Sequence, residues 1–192
     1  MATRTSSKGR NEVLEMLKED HKKVKKAFSE FERLDKEDEE DAQRCEEIIE
    51  QTCKELQVHA TLEEELFYPA IREAIKETDL VDEAEVEHMT AKMLIQQLQE
   101  GNLEEERQAA VFTVLGEYIK HHVREEENEI FEQLNRSKID WDQLQQDMQQ
   151  RRAELMQEHG LADEAAIEEE AATEGGARGG RSRRREPESA DR

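Results

Sequence analysis

The chain has 192 residues and a formal net charge of −22, with 41% charged and only 34% hydrophobic residues, and its mean hydropathy is −1.05. That composition leaves too little apolar material for a large α/β sheet core, and the negative charge argues against general nucleic-acid binding by the folded part. No apolar run approaches the ~20 residues that a membrane-spanning helix requires.

No signal-peptide core follows the N-terminus. Cys45 and Cys53 lie eight residues apart in one helical pattern, roughly 12 Å, too far for a mutual disulfide. They are expected to be reduced and buried, and the location is expected to be cytoplasmic.

Residues 1–10 are small, polar and basic and are expected to form a disordered N-terminus. Asn11 reads as the N-cap of a first helix over 11–34, with the inward stripe Leu14, Leu17, His21, Val24, Phe28 and Phe31. The acidic segment 35–41 makes the turn. A second helix, 42–75, carries Cys45, Ile49, Thr52, Leu56, His59, Glu63, Leu66 and Ala70 at helical spacing, and Pro69 is expected to kink it or end a turn. A third runs over 81–98 with Val81, Ala84, His88, Ala91, Ile95 and Leu98. Gly101-Asn102 is a stop and fresh start. A fourth helix, 104–134, has the face Val111, Leu115, Tyr118, Ile119, His122, Glu126 and Ile130. Four long helices with short connections predict an all-α, up-down-up-down four-helix bundle over 11–135. Residues 136–160 predict an accessory C-terminal helix on the bundle's outside, with Ile139, Leu144, Met148, Leu155 and Trp141. Residues 161–192 read as a disordered low-complexity tail, acidic and then rich in Gly and Arg (Arg178, Arg181, Arg183 to Arg185).

The anomaly is in the stripes. A carboxylate in a core is costly unless paired, yet Glu63 and Glu126 each lie four residues after an inward His. Four helices each bring one inward His: His21, His59, His88 and His122. In an antiparallel bundle they fall at roughly one level. A lone His on an apolar face is usually a satisfied core residue; four of them, two with Glu at i+4, point to a shared metal. Imidazole and carboxylate suit Fe, Mn or Zn, and the absence of thiolate ligands argues against a structural zinc finger. Two bridging carboxylates and four imidazoles fit two non-haem iron ions with an oxo or hydroxo bridge and open positions for a small molecule. His121 and His159, and Glu64, Glu65, Glu125, Glu127 and Glu129, read as solvated. Tyr118, one turn before His122, is expected beside the metal layer as a residue tuning its reactivity, and Lys92 is expected to reach outward to solvent.

The ordered set His21, then His59 with Glu63, His88, then His122 with Glu126 resembles the hemerythrin-like (HHE cation-binding) family. The continuations Leu66-Phe67-Tyr68-Pro69 and Ile130-Phe131 resemble it too. The resemblance implies a four-helix bundle with a non-haem di-iron centre meeting O2 or a related small molecule such as nitric oxide or peroxide. The oxygen-carrying members have a fifth His one turn from the third-helix ligand. Lys92 and Ala84 stand at those places here, which turns the expectation from reversible O2 carriage toward binding or sensing. The alternatives are a di-iron enzyme that decomposes peroxide or reduces oxygen, and an iron-sequestering protein. Neither a membrane nor nucleic acid is expected as a partner.

Overall fold

A computed structural model describes residues 7–161 except Lys36. Of the predicted disordered N-terminus, residues 1–6 lie outside the described residues and 7–10 are helical, while the predicted disordered tail with its Arg-rich cluster lies outside them from residue 162 onward. The described chain is all-α, with helices α1 (Ser7–Phe31), α2 (Glu39–Leu62), α3 (Tyr68–Arg72), α4 (Asp79–Gln99), α5 (Glu105–Glu125), α6 (Phe131–Gln133) and α7 (Trp141–Glu158). No helix among the described residues is long and apolar enough to cross a membrane.

The helix ends follow local chemistry. Asp38 caps α2, its carboxylate accepting from the backbone N–H of Glu40 and Asp41 at 3.0 and 3.1 Å. Asp140 does the same for α7 through Gln143. Gly101, just past α4, adopts φ +66°, which L side chains rarely tolerate. Asn11 is not a cap: α1 begins a turn earlier. Tertiary contacts hold that first turn, since the Arg10 guanidinium donates to the Asn135 carbonyl at 3.0 Å. Gly9 also lies so close to the start of α7 that a Cβ there would meet the Trp141 carbonyl oxygen at 2.8 Å.

Neighbours run α1–α2–α4–α5 and back to α1, with α7 laid against α1 and α2. α7 buries Trp141, Leu144, Met148 and Leu155. They join Val13, Leu17, Leu62, Phe67, Tyr68 and Phe131 in one apolar cluster. A second cluster fills the other end, with Val24, Phe28, Phe31, Ile49, Leu56, Ile95, Phe112 and Leu115. The four inward His lie between the two clusters: His21 is flanked by Leu17 and Val24, His59 by Leu62 and Leu56, His88 by Ala84 and Ala91. The polar layer therefore cuts one bundle core in two.

Both helices that carry a His-x-x-x-Glu pair break into a π-helical turn at the Glu. The first spans Glu63–Phe67 and closes with the Tyr68 N–H on the Glu63 carbonyl; the second spans Glu126–Ile130 and closes with the Phe131 N–H on the Glu126 carbonyl. Pro69, which has no N–H, sits just after the first. The second forms without a proline, so proline is not its cause. Each π-turn absorbs one extra residue and shifts the inward face. Sequence periodicity expected Leu66 and Ala70 inside; the buried residues are Phe67, Tyr68 and Ile71, with Leu66 and Ala70 only half-buried.

The distal cluster is packed tightly around Gly116. A Cβ there would stand 2.8 Å from Cδ1 of Phe28, whose ring is locked against Phe112 at 4.8 Å between centroids. Gly116→Ala is therefore expected to destabilise by about 1–3 kcal/mol through overpacking. A thermal melt checks this, with an unchanged or raised Tm as the contrary result.

Candidate metal centre

α1, α2, α4 and α5 each bring one His to the dividing layer, and the two π-turns each start on its Glu. Nε2 of His21 lies 3.2 Å from Nε2 of His59, and Nε2 of His88 lies 3.2 Å from Nε2 of His122. His21, His59, Glu63 and Glu126 place ligand atoms within 4.8 Å of one another, and so do Glu63, His88 and His122. Glu63 is shared by both groups. All six side chains are buried.

The outward nitrogens decide which atoms face the layer. Nδ1 of His21 meets Glu127 at 2.9 Å, that of His59 meets Asp20 at 3.3 Å, that of His88 meets Glu64 at 3.1 Å and that of His122 meets Glu87 at 2.9 Å. An ionised carboxylate only accepts, so Nδ1 carries the proton and Nε2 presents a lone pair inward. Two of these carboxylates are held well ionised. Burial acts to raise Asp20, but hydrogen bonds from His59 and Arg152 outweigh it and keep it below the usual carboxylate range. The His88 ring, with Lys92, holds Glu64 down to about 2 against partial burial. Such carboxylate–histidine pairs fix ring orientation and raise ligand basicity at metal sites.

The inner faces then collide chemically. Four lone pairs converge on two carboxylates that have no donor. The nearest ring nitrogens stand 3.2–3.3 Å from Glu63 and Glu126, yet all four oxygens of the two carboxylates are buried without a hydrogen-bond partner among the described residues. Burial, and then the adjacent Glu126 charge, push the Glu63 carboxyl well above its ordinary value. A buried unsatisfied carboxylate is expensive. A cation at the meeting point of these atoms would satisfy every one of them, so the donor set fits a metal.

Tyr118 is not at this layer. It is 44% exposed, because on α5 it lies on the opposite side of His122 from the buried Ile119 and Val123. The tyrosine at the layer is Tyr68, fully buried, with its hydroxyl 3.4 Å from Nε2 of His88 and its ring 5.5 Å from that imidazole. Regular helix counting misses it: five residues at about 100° each would place Tyr68 ~140° away from Glu63. The i to i+5 closure of the π-turn brings it back above Glu63. Burial, followed by the Glu126 and Glu63 charges, pushes its phenol well above 10, so it stays a neutral donor.

The outer carboxylates were also hidden. Glu64 and Glu127, read as solvated, hold His88 and His21, and Lys92 turns onto Glu64 rather than running free to solvent. A signal for them exists. Asp20, Glu64, Glu87 and Glu127 each stand next in sequence to an inward residue: His21, Glu63, His88 and Glu126. A neighbour in a helix points ~100° around, toward the seam with the adjacent helix, where each serves that helix's His. Neither cysteine is near this chemistry; Cys53 is buried and its thiol is pushed up to about 12 by that burial.

Tyr68→Phe is expected to keep the metal content and to change the optical spectrum or the reaction rate of the loaded protein, whereas Tyr118→Phe should change neither. Identical spectra and rates for Tyr68→Phe and the parent would reduce Tyr68 to a packing residue.

A helical bundle with a buried layer of four His and two Glu defines a protein able to hold metal cations. The chain belongs to the hemerythrin HHE cation binding domain family, whose model matches residues 12–134. Among curated proteins it is similar to a DNA nickase of Nostoc sp. (strain PCC 7120), at 29% identity over 129 residues, which are 67% of this chain and 35% of that protein. The chain thus spans about a third of that relative's length. No solved structure matches.

Proposed function

We propose that the protein is a non-haem di-iron binding protein that binds or senses O2 or a related small molecule, with His21, His59, Glu63, His88, His122 and Glu126 as the ligands. The observation that carries this reading is the set of four imidazoles whose Nδ1 atoms are tied to carboxylates while their Nε2 atoms face two carboxylates without partners. His21 and His59 would hold one ion, His88 and His122 the other, with Glu63 common to both. When bound, such a pair of ions supplies redox-active positions at which a diatomic or peroxide can coordinate.

The chain's own residues set which molecules arrive. A cavity of about 20 Å³ touches all four His and is otherwise lined mainly by Val24, Leu56, Ala91, Ile95, Ile119 and Val123. That is room for about one water-sized molecule. The apolar wall excludes charged or bulky substrates and favours a small neutral ligand. On the layer, the Tyr68 hydroxyl, 3.4 Å from Nε2 of His88, is positioned to hold or give a proton at a small molecule beside that imidazole. Purified protein is expected to contain about two irons per chain with a ligand-sensitive optical spectrum. Metal analysis with O2, nitric oxide and peroxide additions tests this, and a protein without iron and without spectral response would overturn it. Steady peroxide turnover would instead favour the peroxide-decomposing enzyme, and accumulation of iron well beyond two per chain would favour sequestration.

A second reading, phosphodiester cleavage, is favoured only by the similarity to the nickase. Incubation of supercoiled plasmid with the metal-loaded protein addresses it. Nicking that disappears in Glu63→Gln would replace the first reading; the net charge of −22 argues for no nicking.

A further inference from the structure

The layer has two flanks of opposite chemistry. On one is the apolar cavity just described, where the polar side chain beyond the four His is Lys92, a cation. On the other is a narrower gap of about 10 Å³ where Glu83, Glu87, Glu125, Glu126 and His122 meet beside Leu80, Ala84 and Ile130. A hydrated divalent cation is stripped of solvation by the apolar wall of the first flank, where Lys92 is already paired with Glu64, and met by carboxylates on the second.

We propose that Glu87, His121 and Glu125, with Glu83 at the rim, form a surface entry site that captures a divalent cation and passes it to Glu126 and His122. This rests on the reading of Glu126 and His122 as ligands of the centre. His121 Nε2 lies 3.2 Å from Glu125 Oε1 and 3.5 Å from Glu87 Oε1, and the three residues place ligand atoms within 4.8 Å of one another. Glu87 links the two levels: its other oxygen, Oε2, holds Nδ1 of His122 at 2.9 Å, so Oε1 can take a cation while His122 stays oriented. Side-chain exposure falls in steps along the route, from 47% at His121 to 27% at Glu125, 15% at Glu87 and 1% at Glu126. At the inner end, the Glu126 carboxylate lines the gap with both oxygens buried and without a hydrogen-bond partner. A cation moving inward therefore exchanges water for progressively drier carboxylate oxygens.

The mouth already holds a positive group. The Arg124 guanidinium donates to Nδ1 of His121 at 3.1 Å and lies 3.7 Å from Glu125 Oε1. With Nδ1 accepting, the ring proton lies on Nε2 between Glu87 and Glu125, so an incoming cation has to displace either that proton or the guanidinium.

The test is stopped-flow mixing of the metal-free, full-length protein with Co(II), following the d–d absorption, together with metal analysis after equilibration. His121→Ala and Glu125→Gln are expected to load about 10-fold more slowly than the parent while reaching the same final content. Arg124→Gln is expected to load faster. Added salt should slow the parent more than the two slow variants, a response that packing damage would not produce. Equal rates in parent and both slow variants would overturn the entry site while leaving the centre intact. A lowered final content in His121→Ala would overturn it too, by making His121 part of the centre. A parent that binds no Co(II) would instead refute the centre on which the proposal rests.

Discussion

Glu63→Leu is expected to abolish metal retention and, at the same time, to make the metal-free protein melt higher than the metal-free parent. Glu63 is the side chain shared by both ligand groups, so on the proposed two-ion reading both ions would lose a ligand at once. In the parent, ligands that bind only the folded state add about 4 kcal/mol when present at 1,000 times their dissociation constant, and the variant forfeits that term. Without metal, however, Glu63 is a fully buried carboxylate with two unpartnered oxygens beside Glu126. Replacing buried charged groups by apolar side chains of similar size is often neutral or stabilising by about 1–4 kcal/mol, and an unpartnered carboxylate lies at the stabilising end because it has no ion pair to lose. The two arms are read by metal analysis and by thermal melts with chelator and with added metal. A variant that retains the parent's metal content sinks the ligand assignment. A metal-free variant that melts lower than its parent would show that Glu63 has another role in the fold.

Asp20→Ala is expected to weaken metal binding about 10- to 100-fold while leaving helicity unchanged. Asp20 accepts from Nδ1 of His59 and is itself gripped by both Nη atoms of Arg152 on α7, at 2.6 Å each. The chain Arg152–Asp20–His59 ties the accessory helix to the centre: α7 covers the core and also fixes one imidazole. Arg152→Leu should weaken binding in the same direction but less, because Asp20 still meets His59. The double variant should be no weaker than Asp20→Ala alone, the signature of one shared pathway. Competition against a chromophoric chelator measures all three. Parent-like affinity in Asp20→Ala would remove His59 orientation from the account.

The periodicity of the chain carried the fold. His21, His59, His88 and His122 recur on apolar stripes at helical spacing, and stripes with short acidic or Gly-containing connections leave few architectures other than an antiparallel bundle. Two Glu four residues after two of those His also marked where charge had to be neutralised. These are local regularities, and a regular helix preserves them from sequence into space. The oversight of Tyr68 comes from the place where that regularity fails, the π-turn at Glu63–Phe67, whereas Tyr118 lies on a regular stretch of α5 and was misplaced only by taking the wrong edge of the stripe as inward. A π-turn is a hydrogen-bonding choice made under tertiary packing, and the second turn, without a proline, has no sequence mark among the residues that form it.

The sequence by itself determined the helices, their apolar faces and the six residues that converge. Each of those follows from spacing along one helix. Only the tertiary structure decided which tyrosine reaches the layer, which carboxylate serves which imidazole, and that α7 is bound into the centre. Asp20 adjoins His21 in sequence yet holds His59, and Glu87 adjoins His88 yet holds His122. Those partnerships form across seams between helices, and a seam is fixed by how the helices rotate and pack against one another, which helical periodicity alone does not specify.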